Sequence, residues 1–196
     1  PGGLVSEEHY EGGLAVVNGH SYADQKLRTH NTNFAMLVST RFTEPFNQPI
    51  EYGRYIAKLA NMLTGGPIMV QRLGDLLQGR RTDASRLAKS TTRPTLSSAV
   101  PGDLSFVLPN RYLQSIVEAL RAFDKLAPGL YSRNTLLYGV EVKFYSSRIQ
   151  LSSELETPLR NFFAIGDGAG TTRGLAQAGA SGIKVARVIA ERLDQA

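Results

Sequence analysis

The 196-residue sequence contains no cysteine, which removes disulfide frameworks, thiolate metal sites and cysteine nucleophiles together. Packing and hydrogen bonds must therefore hold the fold. No run approaches the roughly 18 apolar residues that a membrane span needs, and the first residues lack the basic-then-apolar pattern of a secretory leader. These absences predict a soluble chain and are compatible with a cytoplasmic location. Histidine is scarce, and the spacing of His9, His20 and His30 matches no short metal-ligand motif. The P-loop, H-E-x-x-H and G-x-S-x-G patterns are absent, so hydrolase and nucleoside-triphosphatase chemistry lacks its usual residues. No strand followed by G-x-G-x-x-G occurs either, so the fingerprint that holds the ADP half of a dinucleotide is missing.

What is present suits a packed domain. A hydrophobic content of 42% is enough to bury a core in one domain, or one and a half. The net charge of +5 raises the question of an anionic partner. The basic residues are dense only at Arg80, Arg81, Arg86, Lys89 and Arg93. That stretch is rich in Ser and Thr and has no aromatic residue among the cations to stack on bases, which favours a solvated loop over a nucleic-acid interface.

Along the chain, Pro1-Gly2-Gly3 has the composition of a tight turn, and an opening without Met suggests a piece of a longer polypeptide. Leu14, Val16 and Val17 predict a short strand closed by Asn18-Gly19, hence a hairpin. The run 34–40 is apolar on both faces and predicts a strand inside a sheet. Tyr52, Tyr55, Ile56, Leu59 and Leu63 fall at helical spacing over 50–63 and stop at Gly65-Gly66-Pro67. Leu73, Leu76 and Leu77 predict a shorter helix ending at Gly79, followed by a long connection over 82–103 of the kind used for lids and binding loops. Leu113, Ile116, Val117, Leu120 and Phe123 mark a second strong helix, entered through Pro109 and Asn110. Tyr138, Val140, Val142 and Phe144 alternate as a half-buried strand, with a short partner around Ile149 and Leu151. Together these elements predict a mixed α+β or α/β fold, an antiparallel layer packed on helices.

The stretch 161–193 is the most informative. Residues 162–165 predict a buried strand, which runs into Gly166-Asp167-Gly168-Ala169-Gly170 and then, past Thr171 and Thr172, into a helix. Glycines allow a ligand to approach the backbone, and a helix amino end presents unpaired N–H groups and partial positive charge. An anionic or electron-rich group fits such a place. The helix also carries Ala178, Gly179 and Gly182 on one side. Glycine inside a helix costs roughly 0.5–1 kcal/mol relative to alanine, so either a flat ligand or a closely packed sheet lies against that side.

The run Ala164 to Gly170, followed by Arg173-Gly174-Leu175, Ala178 and Ser181-Gly182-Ile183-Lys184-Val185-Ala186, resembles the last motif of a group of uncharacterised FAD-dependent dehydrogenases, relatives of the glutathione-reductase-like flavoproteins. Fainter similarity extends over Pro1-Gly2-Gly3, over 18–22 and 31–35, over Gln71-Arg72-Leu73-Gly74-Asp75-Leu76, and over Gly139-Val140-Glu141. Two positions depart from the family pattern: Asp167 stands where the family often has Glu, and His20-Ser21 replace a Met-Ser type pair. The resemblance implies FAD as cofactor, with Asp167 on a ribityl hydroxyl. It further implies that Gly2, Gly3, Gly166, Gly168, Ala169, Gly170 and Gly174 line the flavin, with Gly182 and Ile183 on the helix whose amino end faces the isoalloxazine. Residues 1–160 would form a substrate domain and residues 161–196 the last strand, turn and helix of a Rossmann-like FAD-binding domain. The amino-terminal segment of that domain would precede this region and would be its partner within the full-length chain, so this region alone would bind FAD weakly or not at all.

Arg28, Asn31, Asn33 and Arg72 are candidate contacts for a polar or anionic small-molecule substrate, and His20 and His30 are candidate proton donors. The sequence names no catalytic residue and no metal ligand. The leading expectation is an oxidoreductase in which the flavin exchanges a hydride. The alternative is a non-catalytic module in which 166–174 holds an anion and the basic loop at 80–93 recruits nucleic acid.

Overall fold

The computed structural model describes residues 2–142 and 148–195. The chain divides into two compact units, Pro1–Lys143 and Phe144–Ala196, a boundary ahead of the functional division at 160/161 expected from the sequence. The first unit is mixed α and β, whereas among the described residues the second has a long helix, a 3-10 turn and one isolated β-bridge. Among the described residues no helix is long and apolar enough to cross a membrane.

The first unit opens with an antiparallel hairpin of β1 (Gly3–Tyr10) and β2 (Leu14–Ser21), paired from Gly3 with Ser21 to Tyr10 with Leu14. The hairpin is as expected, but its turn lies at Gly12 and Gly13, both with positive φ. Asn18-Gly19 does not close the strand; it continues within β2, where the Asn18 amide donates to Glu8 across the ladder. All four residues Leu14, Ala15, Val16 and Val17 are buried. Leu14 and Val16 join one apolar cluster with Ala57, Ala60, Met69, Leu104 and Leu113, while Ala15 and Val17 join Ile68 in another. An uninterrupted apolar run suits this two-sided burial, since successive side chains point to opposite faces.

Helix α1 (Pro49–Thr64) packs against β2. Pro49 begins it without loss of a helical hydrogen bond, and Gly65 ends it in the left-handed conformation, its N–H donating to the Asn61 carbonyl. The Asn61 side chain turns to β2, where its amide donates to the Ala15 carbonyl and its oxygen accepts from the Ala15 N–H, each at 3.0 Å. A single helical side chain thus satisfies both polar backbone groups of a buried strand residue.

Strand β3 (Met69–Arg72) is the centre of a three-stranded sheet and runs directly into the one-turn helix α2 (Leu73–Leu76). After α3 (Ala84–Ala88), strand β4 (Val100–Pro101) pairs parallel with β3. Helix α4 (Asn110–Phe123) follows, and β5 (Leu136–Gly139) pairs antiparallel with β3 on its other side. The Val17 N–H donates to the Val140 carbonyl at 3.1 Å, tying the hairpin to the end of β5.

Several expectations are corrected here. Residues 34–40 form no strand: Phe34 and Leu37 are exposed, and no neighbouring strand among the described residues offers a ladder to an apolar run of this kind. The segment 82–103 is not a structureless lid. Asp83 caps α3 by accepting from the Arg86 N–H, Thr82 and Ser90 are buried, and β4 enters the sheet. The strand expected at 138–144 is β5, which begins two residues earlier and ends at Gly139; Lys143 and Phe144 lie outside the described residues. Residues 149–151 form no partner strand, and the Ile149 N–H instead donates to the Ala169 carbonyl.

In the second unit, the run 162–165 is not a buried strand. Phe162 and Ile165 are exposed, and Phe163 makes an isolated antiparallel bridge with Glu156. Helix α5 (Leu175–Asp194) closes the unit. Arg192, near its end, reaches Glu154 at 2.5 Å and Glu156 at 2.6 Å, and its guanidinium lies 5.2 Å from the Phe163 ring centre. The bonds from Arg192, then that from the Asn161 N–H, hold the Glu156 carboxyl down at about 2. A carboxyl whose folded value lies below its ordinary 4.5 stabilises the fold above that ordinary value and loses the contribution as pH falls through the folded one. Glu156→Gln is therefore expected to lower the unfolding midpoint at neutral pH, with the gap to the natural chain closing between about pH 4.5 and 2; a gap that stays constant down to the acid limit contradicts the pairing.

Candidate functional site

The glycine turn before α5 is built by its backbone. Gly166 has φ of 73° and Gly170 of 72°, both in the left-handed region that glycine enters at little cost. Between them a 3-10 turn, Asp167–Ala169, closes with the Gly170 N–H donating to the Asp167 carbonyl at 2.9 Å. Ala169 is buried and its carbonyl accepts from Ile149, so the back of the turn is anchored. Ser181 holds the front edge from the helix: its hydroxyl accepts from the Gly166 N–H at 3.0 Å and donates to the Ala178 carbonyl at 2.6 Å.

Asp167 is exposed and shapes the next loop. Its Oδ1 accepts from the Thr172 hydroxyl at 2.6 Å and from the Gly174 N–H at 3.3 Å. Gly174, with φ of 157°, then precedes the helix as its cap, and the Ala178 N–H is the first to bond back, to the Gly174 carbonyl. A 20-residue helix thus presents its first amide donors and its positive end beside the turn. Leu175, the first helical residue, is 95% exposed.

Two observations test whether a ligand such as a flavin suits this place. A Cβ added at Gly168, Gly174 or Gly179 would meet no other atom within 4 Å, and one at Gly182 would make ordinary contact with Ile165. Tight packing within the unit therefore does not account for these glycines. In addition, the Thr171 hydroxyl oxygen is buried without a hydrogen-bond partner, and a buried hydroxyl left unpaired is costly. Open glycine surface, an orphaned hydroxyl, an exposed carboxylate and a helix amino end are chemically suited to a polyhydroxylated chain bearing phosphate. Ile183 is exposed and, like Gly182, lies two turns inside the helix rather than at its amino end. Thr171 and Ser181 are absent from the sequence-derived site. Ser181 stands within the quoted motif, and its position one turn after Ala178 is a signal for such a bond.

The remaining candidates lie in the first unit and have partners there. The Gly2 and Gly3 N–H groups both donate to the Asn31 carbonyl at 2.8 Å, and a Cβ at Gly3 would stand 2.6 Å from the Asn33 nitrogen. The Arg28 stem packs on Gly2. Asn31 donates from its side chain to the Arg93 carbonyl at 2.7 Å, and Asn33 to the carbonyls of Leu4 and His20, at 2.7 and 2.9 Å. These amides pin the segment after the hairpin back onto it, the local role that short polar side chains commonly take.

Arg72 belongs to a polar core that the sequence does not single out. Asp75 is 1% exposed, and its carboxylate faces Arg80 at 3.0 Å, Arg72 at 3.6 Å and Arg86 at 3.9 Å. The Thr82 hydroxyl donates to it at 2.9 Å while accepting from the Arg72 N–H at 2.8 Å. Gln71, fully buried, donates to the Arg80 carbonyl and to Asp103, and accepts from the Leu104 N–H. The Arg72 guanidinium also donates to Asn134 at 2.9 Å. Within the basic stretch at 80–93, Arg80 and Arg86 are engaged with Asp75 and Asp83 and Arg93 donates to the Ala88 carbonyl. Among the described residues no three acidic or histidine side chains converge as metal ligands.

A family described as FAD-dependent protein, C-terminal domain-like, matches residues 1–144. The chain belongs to this family. The match covers the first unit with its polar core, and it leaves out the glycine turn and α5. An uncharacterised protein of Clostridium beijerinckii is 29% identical over 202 residues, which span 99% of this chain and 37% of that protein. The chain thus corresponds to little more than a third of the length of that relative, and its similarity to it extends through the glycine turn as well.

Proposed function

We propose that this chain is the carboxy-terminal part of an FAD-dependent oxidoreductase of the dehydrogenase type. In this reading it supplies the substrate domain and the ribityl and isoalloxazine side of the flavin site. Family membership over residues 1–144 is the observation that carries the reading. The open glycine surface at Gly166 to Gly174 supports the placement of the cofactor. Asp167 would accept from a ribityl hydroxyl through Oδ2, since Oδ1 already serves Thr172 and Gly174. Thr171 would gain a partner, and the first amides of α5 would face developing negative charge. When bound, FAD would supply reversible hydride transfer, while the protein orients it and adjusts its electronics.

The ADP half of the cofactor would be held by an amino-terminal Rossmann segment of the full-length polypeptide, which would also cover the apolar side chains of Phe162, Ile165, Leu175 and Ile183 left exposed in the second unit. A small-molecule substrate and a cytoplasmic location complete the proposal. The visible absorption spectrum of the full-length gene product tests it. Flavin bands, or their appearance on adding FAD, are expected there, with little or no flavin retained by residues 1–196 alone. A folded, colourless full-length product that takes up no FAD overturns the reading.

A further inference from the structure

We propose that Arg80 and Arg86, above the buried Asp75 carboxylate, form a binding site for a small oxyanion, a phosphate or a carboxylate group. The positions of both guanidinium groups are fixed by one atom. Arg80 Nε stands 3.0 Å and Arg86 Nε 3.9 Å from the same Asp75 oxygen, so the two Nε atoms lie within about 7 Å of each other, and neighbouring guanidinium groups bind oxyanions through their terminal nitrogens.

The acceptors available inside the cluster do not use all its donors. Asp75 engages Arg80 through Nε, which, among the described residues, leaves the two terminal nitrogens of Arg80 for another acceptor. Arg86 Nε faces Asp75 only at ion-pair range, 3.9 Å, and one terminal nitrogen donates to Asp83 and the Arg81 carbonyl, which leaves its second terminal nitrogen without an acceptor among the described residues. Arg72 completes the group, with its Nε buried and unpartnered. Three guanidinium groups thus face two carboxylates, Asp75 and Asp83, and arginine does not neutralise itself by losing a proton.

Exposure selects which arginines bind. The Arg72 side chain is 16% exposed, whereas Arg80 and Arg86 are 46% and 34% exposed. Arg72 therefore helps to fix the buried carboxylate, while the other two reach the surface with their forks held from behind. Such preorganisation favours a compact anion over a long flexible polyanion, because the ordering of the side chains has already been met by the fold. The proposal stands independently of the flavin reading and involves other residues.

Calorimetric titration of the 196-residue chain with inorganic phosphate and, separately, with malonate tests it. Saturable binding of at least one, with a dissociation constant on the order of 1 mM, is expected, and the stronger of the two identifies the group recognised. Arg86→Lys keeps the charge opposite Asp75 and Asp83 but loses the fork; it is expected to weaken binding about tenfold or more while the circular dichroism spectrum and unfolding midpoint stay close to those of the natural chain. Arg80→Lys serves as a second variant if Arg86→Lys fails to fold. The absence of saturable binding of either anion, or binding that a folded lysine variant retains unchanged, overturns the proposal. So does a single-stranded oligonucleotide that binds while both small anions fail.

Discussion

Replacing Asp75 with alanine is expected to cost on the order of 3–5 kcal/mol of unfolding free energy, the range found when one member of a buried charged group is removed and its partners remain. The carboxylate is nearly inaccessible and accepts from Thr82 while facing three arginines. Without it Arg72, whose side chain is largely buried, keeps its charge and loses its counter-ion. Thr82 also loses the acceptor of its hydroxyl proton. The effect spreads because these residues close the path from β3 to β4: Arg72 ends one strand, Thr82 donates its N–H to the Gly102 carbonyl, and Gln71 ties Arg80 to Asp103. Chemical denaturation followed by circular dichroism provides the check. Asp75→Asn keeps the shape and the hydrogen bond from Thr82, so a smaller loss is expected. A loss for Asp75→Ala below about 1 kcal/mol would place the pair among surface ion pairs and contradict the burial.

The second large effect concerns Gly168, where cofactor binding and folding can be separated. A side chain there meets nothing within 4 Å in the chain itself, and Gly168 is not among the glycines with positive φ. Gly168→Leu is therefore expected to leave the unfolding of the 196-residue chain within about 0.5 kcal/mol, as substitutions at open surface positions usually do. In the full-length product the same leucine would fill the surface assigned to the flavin and weaken FAD binding by more than tenfold, about 1.4 kcal/mol or more. Fluorescence quenching of titrated FAD measures the affinity. Unchanged affinity in a folded full-length variant removes the glycine turn from the flavin site while leaving family membership intact. Asp167 is a poorer probe, because Oδ1 also braces the loop through Thr172 and Gly174, so its replacement combines a structural loss with any loss of ligand contact.

The legibility of the fold follows the range of the interactions involved. Helices α1 and α4 could be read because each carries its own signals: apolar residues at helical spacing, a proline at the entry and, for α1, a glycine at the exit. The hairpin could be read from Leu14 to Val17, but its turn could not, since Asn18-Gly19 is a turn signal that the pairing of β1 with β2 overrides. Residues 34–40 show the converse. Their composition suits a buried strand, yet a strand needs a neighbour, and whether one is at hand is a property of the whole chain. Strand β3 is only four residues long and interrupts its apolar pattern with Gln71 and Arg72, because it is also the edge of a polar core. The glycine turn before α5 was legible because glycine at such density has few other uses, whereas the burial that leaves the Thr171 hydroxyl unpaired and the bond from the Gly166 N–H to Ser181 depend on how the turn folds back on the helix.

The sequence by itself determined the exclusion of disulfide and thiolate chemistry, helices α1 and α4, a strand at Leu14 to Val17 within a hairpin, and the glycine turn before a helix that pointed to the FAD-dependent family. Each of these depends on residue type or on neighbours a few positions away. The tertiary structure alone decided that Asn31 and Asn33 brace the hairpin, that Arg72, Arg80 and Arg86 gather on one buried carboxylate, and that the glycines around Gly168 face open space. Those outcomes depend on which residues meet across tens of positions in the chain. Burial then decides the rest, because removal from water makes an ion pair or an unpaired hydroxyl count for several times what it would at the surface.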